Sequence, residues 1–317
     1  MVHNVKDLPD QSSARQLFRQ AGILSSQGAV PSHLALFVEQ AQDAIDALFK
    51  LIEQGDVAAE RMVDFQQLLI ASCQRVLCHP IVSNNRYLRR FEQGVTESQA
   101  RHECQQFSVF ALNFDVAQAK LVANAPTEEV YYERLNVLLN EKGIPYKDGF
   151  EGDLTGLWRN ETVHFTWLRK MADGLGLEFK DIGKEWLGKP GTLAFVNATF
   201  ETYASSDQNI ASGAAFAIEN WAANYLWKPW IAGMEKLNAT RGTPVDLGYL
   251  KYHDLEEQHH SQATLDELLE NFTEPWFDSE RFLAGAERML TDGVQAYYES
   301  QLQSLPDKDD SWPTELS

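Results

Sequence analysis

The sequence predicts an all-α, single-domain helical bundle, and three observations carry that expectation. Apolar residues recur at spacings of three and four through most of the chain. Glycines, prolines and capping threonines punctuate those runs where helices would start and stop. No stretch alternates apolar and polar residues as a half-buried strand would.

Taken in order, residues 1–30 are polar and broken by SSQG before Ala29, which reads as an arm or short helix outside the core. From Ser32, Leu36, Phe37, Ile45, Leu48, Phe49 and Ile52 recur with helical period up to Gly55. Met62, Phe65, Leu68, Leu69, Val76 and Leu77 repeat the pattern over 61–77. A turn at His79 and a helix ending near Gly94 precede a Thr96 cap and a long aromatic-rich helix that stops before Pro126. Thr127 caps the next helix, which closes at Gly143. The glycines and proline of 144–156 mark a loop, and LWRNETVHFTWLRKMADGLG then reads as a helix ending at Gly174 and Gly176. Helices follow over 193–206 and 211–237, then the helix that holds YHDLEEQHHSQATL, then one from Ser279 to about Leu302. The domain is placed at 31–305, followed by an acidic, frayed tail over 306–317.

With 317 residues and 44% apolar content, the chain can bury a substantial core. The 46 acidic against 27 basic residues give a formal net charge of -19, which repels phosphate backbones and argues against nucleic-acid binding. No apolar run reaches membrane-spanning length, and MVHNVKDLPDQSS lacks the layout of a signal peptide, so a cytoplasmic protein with no membrane partner is expected. Cys73, Cys78 and Cys104 are too few and too oddly spaced for a disulfide framework and read as buried thiols.

The chemistry concentrates at His253, Glu257 and His260. On a helix these positions fall within roughly 60° of one another, so all three side chains address one spot. Imidazole and carboxylate together suit iron, manganese or zinc. Glu257 and His260 form an ExxH pair, and Glu161 and His164 form a second. Two-metal bundles use two such motifs plus one carboxylate from each of two further helices. Glu219, isolated in an apolar and aromatic run, is the natural third-helix carboxylate, since its charge there needs a metal, a proton or a partner such as Lys228 or Arg241. Glu141, Glu129, Glu133 and Glu103 are candidates for the fourth, with Glu141 favoured.

With these motifs in place, the chain from about His79 to Leu269 resembles the heme-oxygenase-like di-iron oxidase superfamily, which includes thiaminase II-like and chlamydial death-domain-associated proteins. The resemblance rests on ANAP at Ala123, LLNEKG at Leu138, HFTWLRKMADGLGL at His164, the isolated Glu219 and HxxxExxH at His253. It implies a heme-oxygenase-like bundle, here with an N-terminal helical extension. It also implies two iron ions, or manganese in their place, held by Glu161 or Glu141 with His164, then Glu219, then His253, Glu257 and His260. O2 would be co-substrate, a small molecule the substrate, and a homodimer the assembly. That family more often has Asp where this chain has Glu257. HxxxExxH is also similar to the ferritin-like p-aminobenzoate N-oxygenases, ranked second as a fold.

The expected function is thus an O2-dependent di-iron oxidase or oxygenase that performs N-oxygenation or oxidative C–C cleavage on an amine, amino acid or fatty acid. The competing readings are a metal-independent thiaminase II-like or cofactorless oxidase-like protein, and a non-catalytic helical binding protein.

Overall fold

The computed structural model describes residues 13–144 and 160–316, with every side chain among them except those of Glu257 and Gln258. The described residues form helices joined by turns and loops, and contain no strand. The helices are α1 (Ala14–Gln20), α2 (Ser32–Gln54), α3 (Arg61–Ser72), α4 (Pro80–Ser83), α5 (Arg86–Phe91), α6 (Glu97–Ala123) and α7 (Glu128–Glu141). After the undescribed segment come α8 (His164–Gly174), α9 (Pro190–Glu201), α10 (Gln208–Trp221), α11 (Trp227–Asn238), α12 (Gly248–Thr273), α13 (Ser279–Arg288) and α14 (Ala296–Ser304). None of the described helices is long and apolar enough to cross a membrane.

The caps follow the sequence. Thr96 Oγ1 accepts from Gln99 N at 3.2 Å while Gln99 Oε1 accepts from Thr96 N at 3.0 Å, a reciprocal capping box. Thr127 Oγ1 accepts from Val130 N at 3.2 Å. Each such cap stabilises its helix by about 1 kcal/mol.

One hydrophobic core runs through the described residues, with α10 at its centre. From Ala211 to Trp221 every residue of α10 is buried. It can lie this deep because α13 crosses it backbone to backbone. A Cβ on Gly213 would stand 1.8 Å from Phe282 O, and one on Gly285 would stand 2.3 Å from Ile210 O. A larger side chain at either position would prise the two helices apart. On its other flanks α10 packs against α12 and the turn that follows α3.

Two expectations about the chain ends are corrected. Residues 14–24 are not an arm outside the core: Ala14, Leu17, Phe18 and Leu24 are buried in it, and Phe18 stacks on Phe37 at 5.8 Å. The aromatic Phe18 supplies apolar area that the polar average of residues 1–30 concealed. The acidic tail is not frayed through its described length either. Trp312 and Leu316 are buried, and Leu316 O accepts from Arg86 N at 3.2 Å.

Three helices are interrupted by π-helical turns that apolar periodicity does not signal. They span Cys73–Leu77 after α3, Ala222–Leu226 between α10 and α11, and Met289–Gln295 between α13 and α14. An extra residue per turn rotates everything downstream by about a quarter-turn relative to an α-helix, and such turns are frequent at functional sites.

Glu103, one of the carboxylates considered as a ligand, ties the bundle together instead. It accepts from Tyr87 Oη at 2.5 Å, Tyr297 Oη at 2.9 Å and Gln301 Nε2 at 2.7 Å, which pins α6 to α5 and α14. Burial pushes its carboxyl up, against the downward pull of those three donors. The folded state thus favours the neutral acid. The stability this gives is present below the unfolded glutamate pKa of about 4.3 and is lost as pH rises through the raised folded value. Glu103→Gln cannot titrate, so the stability gap between wild type and variant should shrink or reverse between pH 4 and pH 8. Urea midpoints at the two pH values check this; a gap that widens with pH would contradict it.

Candidate metal centre

Glu141 is the last residue of α7, and its placement depends on the turn after it. Gly143 has φ +88°, and a Cβ there would stand 2.5 Å from the Thr162 backbone. Only glycine allows this close approach in left-handed geometry. The contact lays the end of α7 directly on the segment that leads into α8. Lys142 pairs with Asp115 in α6 and holds the same end.

The result is that Glu141 Oε2 lies 2.9 Å from His164 Nδ1, at the start of α8. Glu141 Oε1 lies 3.7 Å from His253 Nε2, on α12. One ligand atom from each of Glu141, His164 and His253 lies within 4.8 Å of the others. Burial alone would push the Glu141 carboxyl up, but the His164 charge and hydrogen bonds from His164 and His253 hold it well below the usual carboxylate range. An ionised carboxylate is the form a cation needs.

The imidazoles are oriented by their surroundings. His253 Nδ1 sits 2.7 Å from Tyr249 O, a carbonyl that can only accept, so Nδ1 donates to it and Nε2 is the ring nitrogen that faces Glu141. The His253 ring is held between Tyr249 at 4.2 Å and Trp227 at 4.9 Å. His164 stacks on Trp167 at 5.0 Å and meets the edges of Tyr252 at 4.7 Å and His253 at 4.8 Å. Trp167 is fixed by its Nε1 donating to Glu161 O at 2.6 Å, and Tyr252 by Asn140 Nδ2 donating to its hydroxyl at 3.0 Å.

A second acid–imidazole pair lies beyond the first. Glu219 Oε2 on α10 is 3.5 Å from His260 Nδ1, two turns along α12 from His253. Both residues are buried. The π-turn at Ala222–Leu226 begins just after Glu219, and both Ala222 and Leu226 line the space before it. Lys228 is exposed and Arg241 pairs with Glu97, so neither of the cations suggested by the sequence forms a salt bridge with Glu219.

Glu141, His253, Glu219 and His260 all line one cavity of about 50 Å³. Its other walls are apolar and aromatic, with Phe107, Phe110, Phe114, Ile218, Trp221 and Trp227 among them. A further space of about 30 Å³ continues past Glu219 and His260 toward Tyr203, Arg134 and Glu267.

The structure separates the candidates for the first carboxylate. Glu161 is exposed in a 3-10 turn over Asn160–Thr162, and α8 begins only at His164. The ExxH spacing is therefore not carried by one α-helix, and the structure brings Glu141 rather than Glu161 to His164. Glu129 is exposed. Glu133 lies half-buried beside the second space, with its carboxyl pushed up to about 7 by burial and by Glu270, Glu267 and Asp266. The Glu257 side chain lies outside the described residues. Tyr249, Tyr252 and Asn140, which orient the imidazoles, were not singled out in the sequence. Tyr249 stands one helical turn before His253, the spacing at which its carbonyl can serve that ring.

The donors suit a transition metal. His164 Nε2 is buried without a hydrogen-bond partner, an unusual cost for a polar nitrogen that a cation or bound water would remove. Mixed carboxylate and neutral imidazole is the donor set of iron, manganese and zinc. The chain matches no known family model and no curated protein.

Proposed function

We propose that this protein is an O2-dependent oxidase or oxygenase that holds two iron ions, or manganese in their place, and acts on a small apolar or amphipathic molecule. The observation that carries the reading is the convergence of Glu141, Glu219, His253 and His260, from three separate helices, on a single aromatic-walled space, with His164, on a fourth helix, 2.9 Å from Glu141. Glu141, His164 and His253 would hold one ion. Glu219 and His260 would hold the other, with Glu257 as the further carboxylate expected from its helical spacing. A pair of ferrous ions bound there would supply electrons to O2.

The remaining tasks fall to the protein. Glu141 stays ionised, and the Tyr249 carbonyl accepts from Nδ1 of His253 and so leaves Nε2 to face the site. Phe107, Phe110, Trp221 and Trp227 exclude water and offer an apolar surface to the substrate. A space of about 50 Å³ is small against the roughly 300–1,000 Å³ of an ordinary ligand pocket. N-oxygenation and oxidative C–C cleavage are both compatible with the reading, and the superfamily resemblance extends to both.

Counting metals per chain after aerobic expression in iron-rich medium tests the proposal. Near two irons is expected. Chains that bind no iron, and gain none on anaerobic ferrous reconstitution, would favour a metal-independent helical protein in which the cluster is a buried polar network.

A further inference from the structure

The cysteines form a second chemical feature, remote from the lining of the carboxylate–imidazole cavity. Cys73 opens the π-helical turn Cys73–Leu77, and Cys78 N donates to Cys73 O at 2.9 Å, closing it. A turn closed between positions five apart stacks its first and sixth residues, whereas in an α-helix those residues point about 140° apart. Here the two cysteines share one face of the turn, close enough that each shifts the titration of the other. His33, in the first turn of α2, is near enough to Cys78 to favour its thiolate. Cys73 is fully buried, while Cys78 and His33 each keep partial access to solvent. One thiol is thus reachable and near an imidazole, and the other is buried one π-turn before it.

We propose that Cys78 is a peroxide-reactive thiol and Cys73 its resolving partner, so that the pair forms a reversible disulfide. The Cys73 contact, and after it His33, hold the Cys78 thiol below its ordinary range against the effect of burial. The same contact and burial push Cys73 up, so Cys78 is the thiolate of the pair. The thiolate attacks one oxygen of hydrogen peroxide. The O–O bond breaks, hydroxide leaves and takes a proton to become water, and Cys78 is left as a sulfenic acid. Cys73 then attacks that sulfur, the S–O bond breaks, the second oxygen leaves as water and the S–S bond forms. Two thiols lose two electrons together, and one peroxide becomes two waters. The closed ring holds only the residues of the turn, so the bond adds little stability and an ordinary dithiol reductant can reopen it. Cys104, buried and pushed up by burial, has no such arrangement and stays a thiol.

The test uses the reduced full-length protein, treated with hydrogen peroxide, alkylated under denaturing conditions and digested with trypsin. Cleavage after Arg75 separates the two cysteines, so their disulfide joins two peptides in the mass spectrum. That linked pair, with Cys104 alkylated and the link reversed by dithiothreitol, is the expected result. In Cys73→Ser the reaction should stop at a sulfenic acid on Cys78 that dimedone traps, and His33→Gln should slow thiol loss several-fold. Wild-type protein in which Cys73 and Cys78 remain fully alkylated, or in which Cys104 is consumed as fast as Cys78, would overturn the proposal. That map is read on the wild type alone, so it decides even if a variant fails to fold.

Discussion

Under the proposed di-iron reading, Glu141→Gln should cost the protein one iron and lower substrate-dependent O2 consumption by on the order of 100-fold or more. The argument is local. Glu141 is the only carboxylate among the described residues whose oxygens face both His164 and His253, at 2.9 and 3.7 Å. An amide of the same shape keeps a carbonyl acceptor but loses the charge, and a neutral oxygen holds a divalent cation far less well. Losing even a group that merely orients a ligand costs 10–100-fold, so losing the ligand charge itself should cost at least the upper end of that range. Glu161→Gln is the matched control, since Glu161 is exposed and should keep both ions and full activity. Metal analysis, an oxygen electrode and circular dichroism on the two variants decide the matter. Full iron in Glu141→Gln, or iron lost from Glu161→Gln, would reverse the assignment. On the same reading, His260→Ala should remove the other ion while leaving the first.

That contrast also shows what the sequence could and could not disclose. The grouping of His253 and His260 was legible because both lie on one uninterrupted helix, where spacing translates directly into direction. Glu219 was legible because a lone carboxylate in an apolar run needs a reason. The Glu161–His164 pair failed because the same spacing rule was applied across a break: Glu161 belongs to a 3-10 turn and His164 opens a new helix. What brings Glu141 to His164 is the Gly143 backbone lying on Thr162, a tertiary contact without a periodic signature. The π-turns were invisible for a related reason, since one extra residue shifts phase without altering composition. The neighbouring sulfurs of Cys73 and Cys78 follow from such a turn, and an α-helical reading points them apart. The general fold class survived all of this because it rests on many weak periodic signals rather than on any one contact.

The largest expected effect on stability lies next to the cavity, in a buried ion pair. Arg134 donates to Glu267 twice, Nη2 to Oε1 at 2.7 Å and Nε to Oε2 at 3.2 Å. The guanidinium also donates to Leu121 O at 3.1 Å, and Glu267 accepts from Ser212 Oγ at 2.7 Å. Both side chains are buried, so removing one leaves the other charged and without its counter-ion. Glu267→Ala should therefore lower the unfolding free energy by about 3–5 kcal/mol. Arg134→Met with Glu267→Leu removes both charges together and should recover most of that loss, because the cost comes from the stranded charge more than from the absent bond. The acid limb provides a second check. Burial would raise the Glu267 carboxyl, but Arg134 and the hydrogen bonds from Arg134, Ser212 and Asn271 hold it below its ordinary value. The stability it contributes is present above the unfolded pKa of about 4.3 and is lost as pH falls through the lower folded value. Chemical denaturation at pH 7 and pH 3 should show the gap between wild type and the double variant narrowing toward acid. A gap that is constant across that range would mean that the pair carries no net charge-dependent stability. Arg134 and Glu267 line the space that continues from Glu219 and His260, so a single substitution that loosens α7 against α12 should also weaken iron retention at the His260 end. The charge-free double variant, with that packing kept, should retain as much iron as the wild type binds.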